Sequence, residues 1–384
     1  MNAPSPIMPN IRQPVSKSKS FVLWFQSIAV FLISLQSYYI YSVGASVFPV
    51  IGAVLLILLG IKNNGPRLGV PVMVLFFCAY FSFVVAIDVF RNQHISTLVA
   101  FPFLVATILG TVWSFHHRLD NLASVLAIVL YIHLGFYIIQ VVTWLLAGHY
   151  IDFLYPITGE SQRMFSPKGL HIGFRRIPRF CGLYNEPGTF SVYIITLSAL
   201  KYVVDRKVDL LLGLALLAVL LSLSLFGFTL VVLFGTVLAF GSFGARYVAG
   251  ASVIGYFVLV LVLPAIERRL ASGYSGVDGR EEAINFTLEW SNFLLGASSL
   301  EQIGILTNDS GIFISSLIHG GVVELTLLFL VLLTSTSWQS VISIGVVCLV
   351  LVTKIKLTYP MFWLFVAAIY LASHRPRECA ARCE

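Results

Sequence analysis

Long apolar runs, broken by short polar stretches, fill almost the whole chain. They fall at about 21–43, 45–61, 70–89, 95–115, 122–147, 187–204, 208–223, 226–243, 247–264, 308–333, 338–353 and 357–373. Most are roughly 17–25 residues long, which is what an α-helix needs to cross a hydrocarbon core. A membrane β-barrel would show shorter segments of alternating polarity instead. The pattern predicts an all-α polytopic membrane protein with about twelve transmembrane helices in a single domain over 21–373. One break is only weakly marked, because 208–243 is nearly continuous; its turn is expected between Ser222 and Gly227.

The flanks read differently. Residues 1–20 are rich in Pro and Ser and predict a disordered tail. The run that follows is too long for a signal-peptide core and lacks a clear cleavage site, so it is read as the first span. Residues 374–384 form a second polar tail. With both tails in the cytoplasm, Lys17, Lys19, Lys62, Arg67, Arg118, Lys201, Arg206, Lys207, Arg246 and Arg375 fall inside. Among the short loops only Arg91, Lys354 and Lys356 fall outside. This is the asymmetry of the positive-inside rule. Two longer loops, about 148–186 and 265–307, then face outward.

Composition removes whole classes. Hydrophobic residues make up 58% of the chain and charged residues 11%, against about a quarter charged in soluble domains. The formal charge of +7 reports orientation and contact with anionic lipid rather than a nucleic-acid partner. The five cysteines are scattered and suggest no disulfide framework. No His, Cys or Asp cluster has metal-ligand spacing, and there is no phosphate loop or dinucleotide fingerprint. No cofactor is expected. Internal repeats, common in transporters, are not evident. Ionisable residues within the runs are few: His133, His319 and Glu324 are the main candidates, with Asp88 near an end. His319 and Glu324 are five residues apart and are not expected to share a helical face. Chemistry is therefore expected at the outer surface rather than along a path through the spans.

The stretch RFCGLYNEPGTF, 179–190, sits where the first long loop meets the sixth run. It supports two readings. Pro187 suits the first helical turn, and Asn185 or Glu186 can cap that helix, the carboxylate facing the positive helix end. Capping does not explain Arg179 and Gly182, nor Arg175 and Arg176 upstream. The other reading is a polar centre in which Glu186 orients or deprotonates a hydroxyl while arginines hold phosphate. Tyr184 and His171 are candidate sugar contacts. In the second loop, Ile284, Leu288 and Phe293 place an apolar stripe beside Arg280, suggesting a helix lying on the membrane surface. Asp309 is either a cap of the tenth span or a group that holds an acceptor.

The spacing Arg179, Gly182, Glu186, Pro187 resembles bacterial O-antigen and exopolysaccharide polymerases of the Wzy type, relatives of the O-antigen ligases. LLGASSLEQIGILTNDSGIFISSLIHGGVVELTLLF resembles their second outer loop and following span, with Asn308 and Asp309 in an Asn-Asp-Ser triplet. Arg280 stands where such proteins carry a loop arginine, and KIKLTYPMFWLF near the end is also similar. The likeness covers about 175–370.

The resemblance implies a metal-independent glycosyltransferase of the bacterial inner membrane. Its donor would be a glycan on undecaprenyl diphosphate, and its acceptor a second lipid-linked repeat unit. It also implies Glu186, Arg179 and Asp309 as catalytic residues, and Arg175, Arg176, Arg280, Tyr184, Asn185 and Asn308 as groups that bind diphosphate or glycan. A flippase and a chain-length regulator are the protein partners it brings. Two alternatives stay open. One is a ligase that moves finished glycan to another acceptor, although ligases commonly have a histidine where this chain has Asn308-Asp309. The other is a polysaccharide or lipid transporter that catalyses nothing.

Overall fold

A computed structural model describes residues 17–35, 38, 46–63, 70–91, 96–116, 118–164, 171–172, 175–176, 178–242, 293–297, 311–336, 340–353 and 355–374. Among these residues the helices are α1 (Lys17–Ser34), α2 (Val47–Asn63), α3 (Val72–Phe90), α4 (Ser96–Phe115), α5 (Leu119–Ala147), the single turn α6 (Tyr155–Thr158), α7 (Pro187–Asp205), α8 (Leu210–Leu221), α9 (Leu225–Ser242), α10 (Ile312–Ser335), α11 (Val341–Leu351) and α12 (Pro360–Ser373). Between α6 and α7, two-residue strands β1 (His171–Ile172) and β2 (Arg175–Arg176) pair antiparallel.

Among the described residues, five helices are long and apolar enough to cross a membrane: Val72–Phe90, Thr97–Phe115, Leu119–Ala147, Pro187–Asp205 and Ile312–Ser335. Shorter apolar helices occupy most of the other predicted runs. The run at 247–264 lies outside the described residues. The weakly marked break in 208–243 falls at Ser222–Ser224, where Leu223 takes a positive φ of 54°. Outward faces are apolar: Phe21, Leu75, Leu98, Leu145 and Leu210 are all exposed. Exposed leucine and phenylalanine on these helices mean that the surrounding solvent is lipid, where only internally hydrogen-bonded helices survive. The protein is a helical membrane protein.

Two helices are not lipid-facing. In α7 every residue from Phe190 to Val204 is buried, and in α12 every residue from Pro360 to Ile369. The others surround them. α7 packs on α5, α8, α9 and α12, while α4 covers the other side of α12 and α2 packs on α4. α1 bridges α2 and α5, and α3 pairs with α10. A helix buried on all sides has no lipid face to satisfy, which is why α7 accommodates Ser191, Thr196, Ser198 and Lys201.

The start of α7 therefore lies in the middle of one end of the bundle. Ser224, in the turn between α8 and α9, sits beside Gly188. Tyr359, just before α12, interacts electrostatically with Tyr193 of α7. Trp363, in the first turn of α12, packs on Phe77 and Tyr80 of α3. At the opposite end Lys201 Nζ lies 2.7 Å from both Asp205 Oδ2 and Asp209 Oδ2, and Arg206 donates to Ser340 Oγ at 3.1 Å.

Candidate functional site

The stretch 178–190 is held from outside by side-chain amides. Gln140, fully buried near the end of α5, accepts the N–H of Gly182 at 2.8 Å and of Cys181 at 3.3 Å. Its amide nitrogen donates to Gly182 O at 3.0 Å and Gln162 Oε1 at 2.9 Å. Gln162 donates to Gly182 O at 2.8 Å and Tyr184 O at 2.7 Å, and receives the Tyr150 hydroxyl. Asp152 fixes the loop in turn: Oδ1 accepts the N–H groups of Leu154 and Tyr155, and Oδ2 that of Gln162, each at 2.9 Å. Backbone groups of Cys181, Gly182 and Tyr184 are thus paired, as a low-dielectric setting requires. Gly182 has φ +56°, a conformation that costs an L side chain roughly 1–2 kcal/mol.

This frame delivers Glu186 to the head of α7. Its backbone is extended, with φ −149° and ψ 157°, and Pro187 takes the first helical position. Glu186 O accepts the Phe190 N–H at 3.1 Å, so the residue occupies the cap position by its backbone. Its side chain does not cap: no helix N–H reaches the carboxylate, whose Oε1 instead accepts the Thr189 hydroxyl at 3.4 Å. The expectation that the carboxylate or Asn185 caps this helix is corrected. The carboxylate is left at the positive helix end, partly exposed, with capacity for another partner.

Arg179 is partly buried, and its N–H donates to Met164 O at 3.0 Å. Arg179 and Glu186 both act on the Cys181 thiol between them. Burial and then Asp152 push that thiol up, more than the Tyr150 hydrogen bond and the Arg179 charge lower it. Cys181 is fully buried and is not a thiolate nucleophile.

Other expected site residues separate. Tyr184 is fully buried; its ring stacks on Tyr193 at 4.9 Å and on His133 at 5.3 Å. It supports the turn from the core and presents no face to a sugar. Asn185 O accepts the Arg163 N–H at 2.7 Å, and its Oδ1 is buried with no hydrogen-bond partner among the described residues. Arg175 and Arg176 form β2, pairing with Ile172 and His171. Arg280, Asn308 and Asp309 lie outside the described residues. Among those described, no three His, Cys, Asp or Glu side chains converge as a metal site.

A second polar group was not foreseen as a unit. His319 Nδ1 lies 2.6 Å from Glu324 Oε2, and its Nε2 lies 2.8 Å from Asp88 Oδ1. The Tyr80 hydroxyl donates to Glu324 Oε1 at 3.2 Å. Arg91 donates to His319 O at 2.5 Å and to Leu295 O at 2.6 Å. The expectation that His319 and Glu324 do not meet is corrected. Regular helix ends at Gly321, with φ 65° and ψ −157°, and the kink turns the two side chains together. Asp88, His319 and Glu324 are therefore gathered, while His133 sits apart against Ser34 and Tyr184. Tyr80 also packs on Trp363, which places this group at the same end of the bundle as Glu186.

Gln140, Gln162 and Asp152 were missed. The available signal was Gln140 itself, a lone amide inside the apolar run YIIQVVTWLL, because a polar side chain within a span needs partners. No family model matches the chain, and no curated protein matches it.

Proposed function

We propose that this protein is a polysaccharide polymerase of the bacterial inner membrane, joining oligosaccharide repeat units carried on undecaprenyl diphosphate at the outer face. The observation that carries the reading is the placement of Glu186. Its carboxylate heads a helix enclosed by its neighbours and is not consumed by capping, and Arg179 precedes the buried Cys181 by two residues.

In this reading the acceptor hydroxyl attacks the anomeric carbon of the donor glycan. The bond from that carbon to the diphosphate oxygen breaks, and the lipid diphosphate leaves with the electron pair. Glu186 takes the hydroxyl proton, and Arg179 offsets the charge that develops on the departing diphosphate. Arg175 and Arg176, on the short hairpin of the same loop, add guanidinium forks suited to phosphate. Both termini then lie in the cytoplasm, which puts the Lys201–Asp205–Asp209 cluster inside and Glu186 outside.

Cells lacking the protein test this. Accumulation of single lipid-linked repeat units, reversed by the wild type and not by Glu186→Ala, is the expected result. Accumulation of finished lipid-linked polymer at the outer face would point to a ligase. Accumulation at the cytoplasmic face would point to a transporter.

A further inference from the structure

We propose that His319 is a positioning residue, held as an imidazolium between Asp88 and Glu324, and not the base of any reaction. Each ring nitrogen faces a carboxylate oxygen, Nδ1 at 2.6 Å and Nε2 at 2.8 Å. A neutral imidazole has one N–H and one lone pair. It would set that lone pair against a carboxylate oxygen, unless one carboxyl were protonated. The surroundings favour two ionised carboxylates. Glu324 already accepts the Tyr80 hydroxyl on its other oxygen. Asp88 receives a hydrogen bond from Thr97 and lies within the field of Arg91. Two carboxylates facing an imidazolium and a guanidinium make a neutral group, which is the form a membrane interior tolerates.

The group joins four pieces of chain. Asp88 and Tyr80 belong to α3 and Arg91 caps its end, His319 belongs to the first half of α10, and Glu324 to its second half. The fourth piece is the turn at Leu294–Ala297. Arg91 binds Leu295 O there, and the Ala297 N–H donates to Ile318 O at 2.7 Å. Both halves of the kinked helix are thereby tied to α3 and to that turn. A ring with both nitrogens committed has no lone pair to offer a substrate hydroxyl. What His319 supplies is a fixed charge that keeps two buried carboxylates together.

Three measurements decide it, and two are independent of the proposed activity. The first uses protein labelled with 15N-histidine in nanodiscs. Both His319 ring nitrogens are expected to carry protons at pH 8, with the signal identified by its absence in His319→Gln. A single neutral tautomer at that pH overturns the proposal. The second is thermal unfolding. His319→Gln leaves the carboxylates facing each other and should lower the midpoint by several degrees, whereas Asp88→Asn/His319→Gln/Glu324→Gln should recover most of the loss. A single variant as stable as the wild type overturns the proposal. The third rests on the polymerase reading. The neutral triple variant should polymerise repeat units within a few-fold of the wild type, and a stable triple variant without activity would put at least one of the three groups in the chemistry and count against a purely positional His319. If the wild type makes no polymer, the polymerase reading fails, and the first two measurements still judge the role of His319.

Discussion

His319 Nδ1 lies 2.6 Å from Glu324 Oε2 although they are five positions apart on one helix. A regular helix would carry them to different faces. They meet because Gly321 sits at φ 65°, ψ −157°, a region open essentially to glycine alone. A Cβ at this position would also overlap the backbone of Leu294.

Gly321→Ala should therefore destabilise the protein by about 1–3 kcal/mol from backbone strain alone, and by more if the turn at 294 cannot move. Thermal unfolding in detergent measures this. Gly235→Ala, at a helical position with open space around it, is the control and should be neutral or slightly stabilising.

Gln140 is the amide on which the 178–190 turn depends. Gln140→Leu keeps the volume and removes the partners of Gly182 and Cys181. Each buried backbone group left unpaired costs about 1–3 kcal/mol. The expected result is a lower unfolding midpoint together with faster backbone hydrogen exchange at 181–184. Exchange unchanged there would mean that the turn is held by other contacts.

Asp209 gives a pH dependence with a defined sign. Burial raises its carboxyl, but the hydrogen bond from Lys201, the Leu212 N–H and the Lys201 charge together bring it below the ordinary value. A carboxyl depressed in the folded state stabilises above its unfolded pKa, about 3.9, and loses that contribution as pH falls through the folded value. Asp209→Asn should thus be less stable than the wild type at pH 7, and the gap should close below about pH 4. Asp209 is substantially exposed, so the gap at pH 7 is expected to be small and to shrink with added salt.

The parts of this protein legible in the sequence are those that depend on local pattern. The apolar runs mark the helices because a lipid surrounding demands uninterrupted apolar faces. Pro187 and Pro360 mark the starts of α7 and α12 because proline fits a first helical turn. What stayed hidden depends on departures from pattern. Nothing local says that the Glu186 carboxylate turns to Thr189 instead of a helix N–H. The kink at Gly321 is one glycine of a Gly-Gly pair in an otherwise helical run, and a regular helix drawn through it separates His319 from Glu324. Gln140 and Gln162 are twenty-two residues apart, and only the fold brings their amides within 2.9 Å. Asp88 and His319 are joined across 231 residues, a pairing that no spacing rule anticipates.

The central claim is that Glu186 and Arg179 carry glycosyl transfer. Its most direct test is reconstitution of the purified protein with repeat units on undecaprenyl diphosphate, the products being resolved by length on a gel. The wild type should give a ladder of lengthening glycans. Glu186→Gln and Arg179→Ala should each reduce it by about 10²-fold or more while their unfolding midpoints stay near that of the wild type. A ladder of unchanged intensity in both variants would contradict the claim and return 179–187 to a purely structural role.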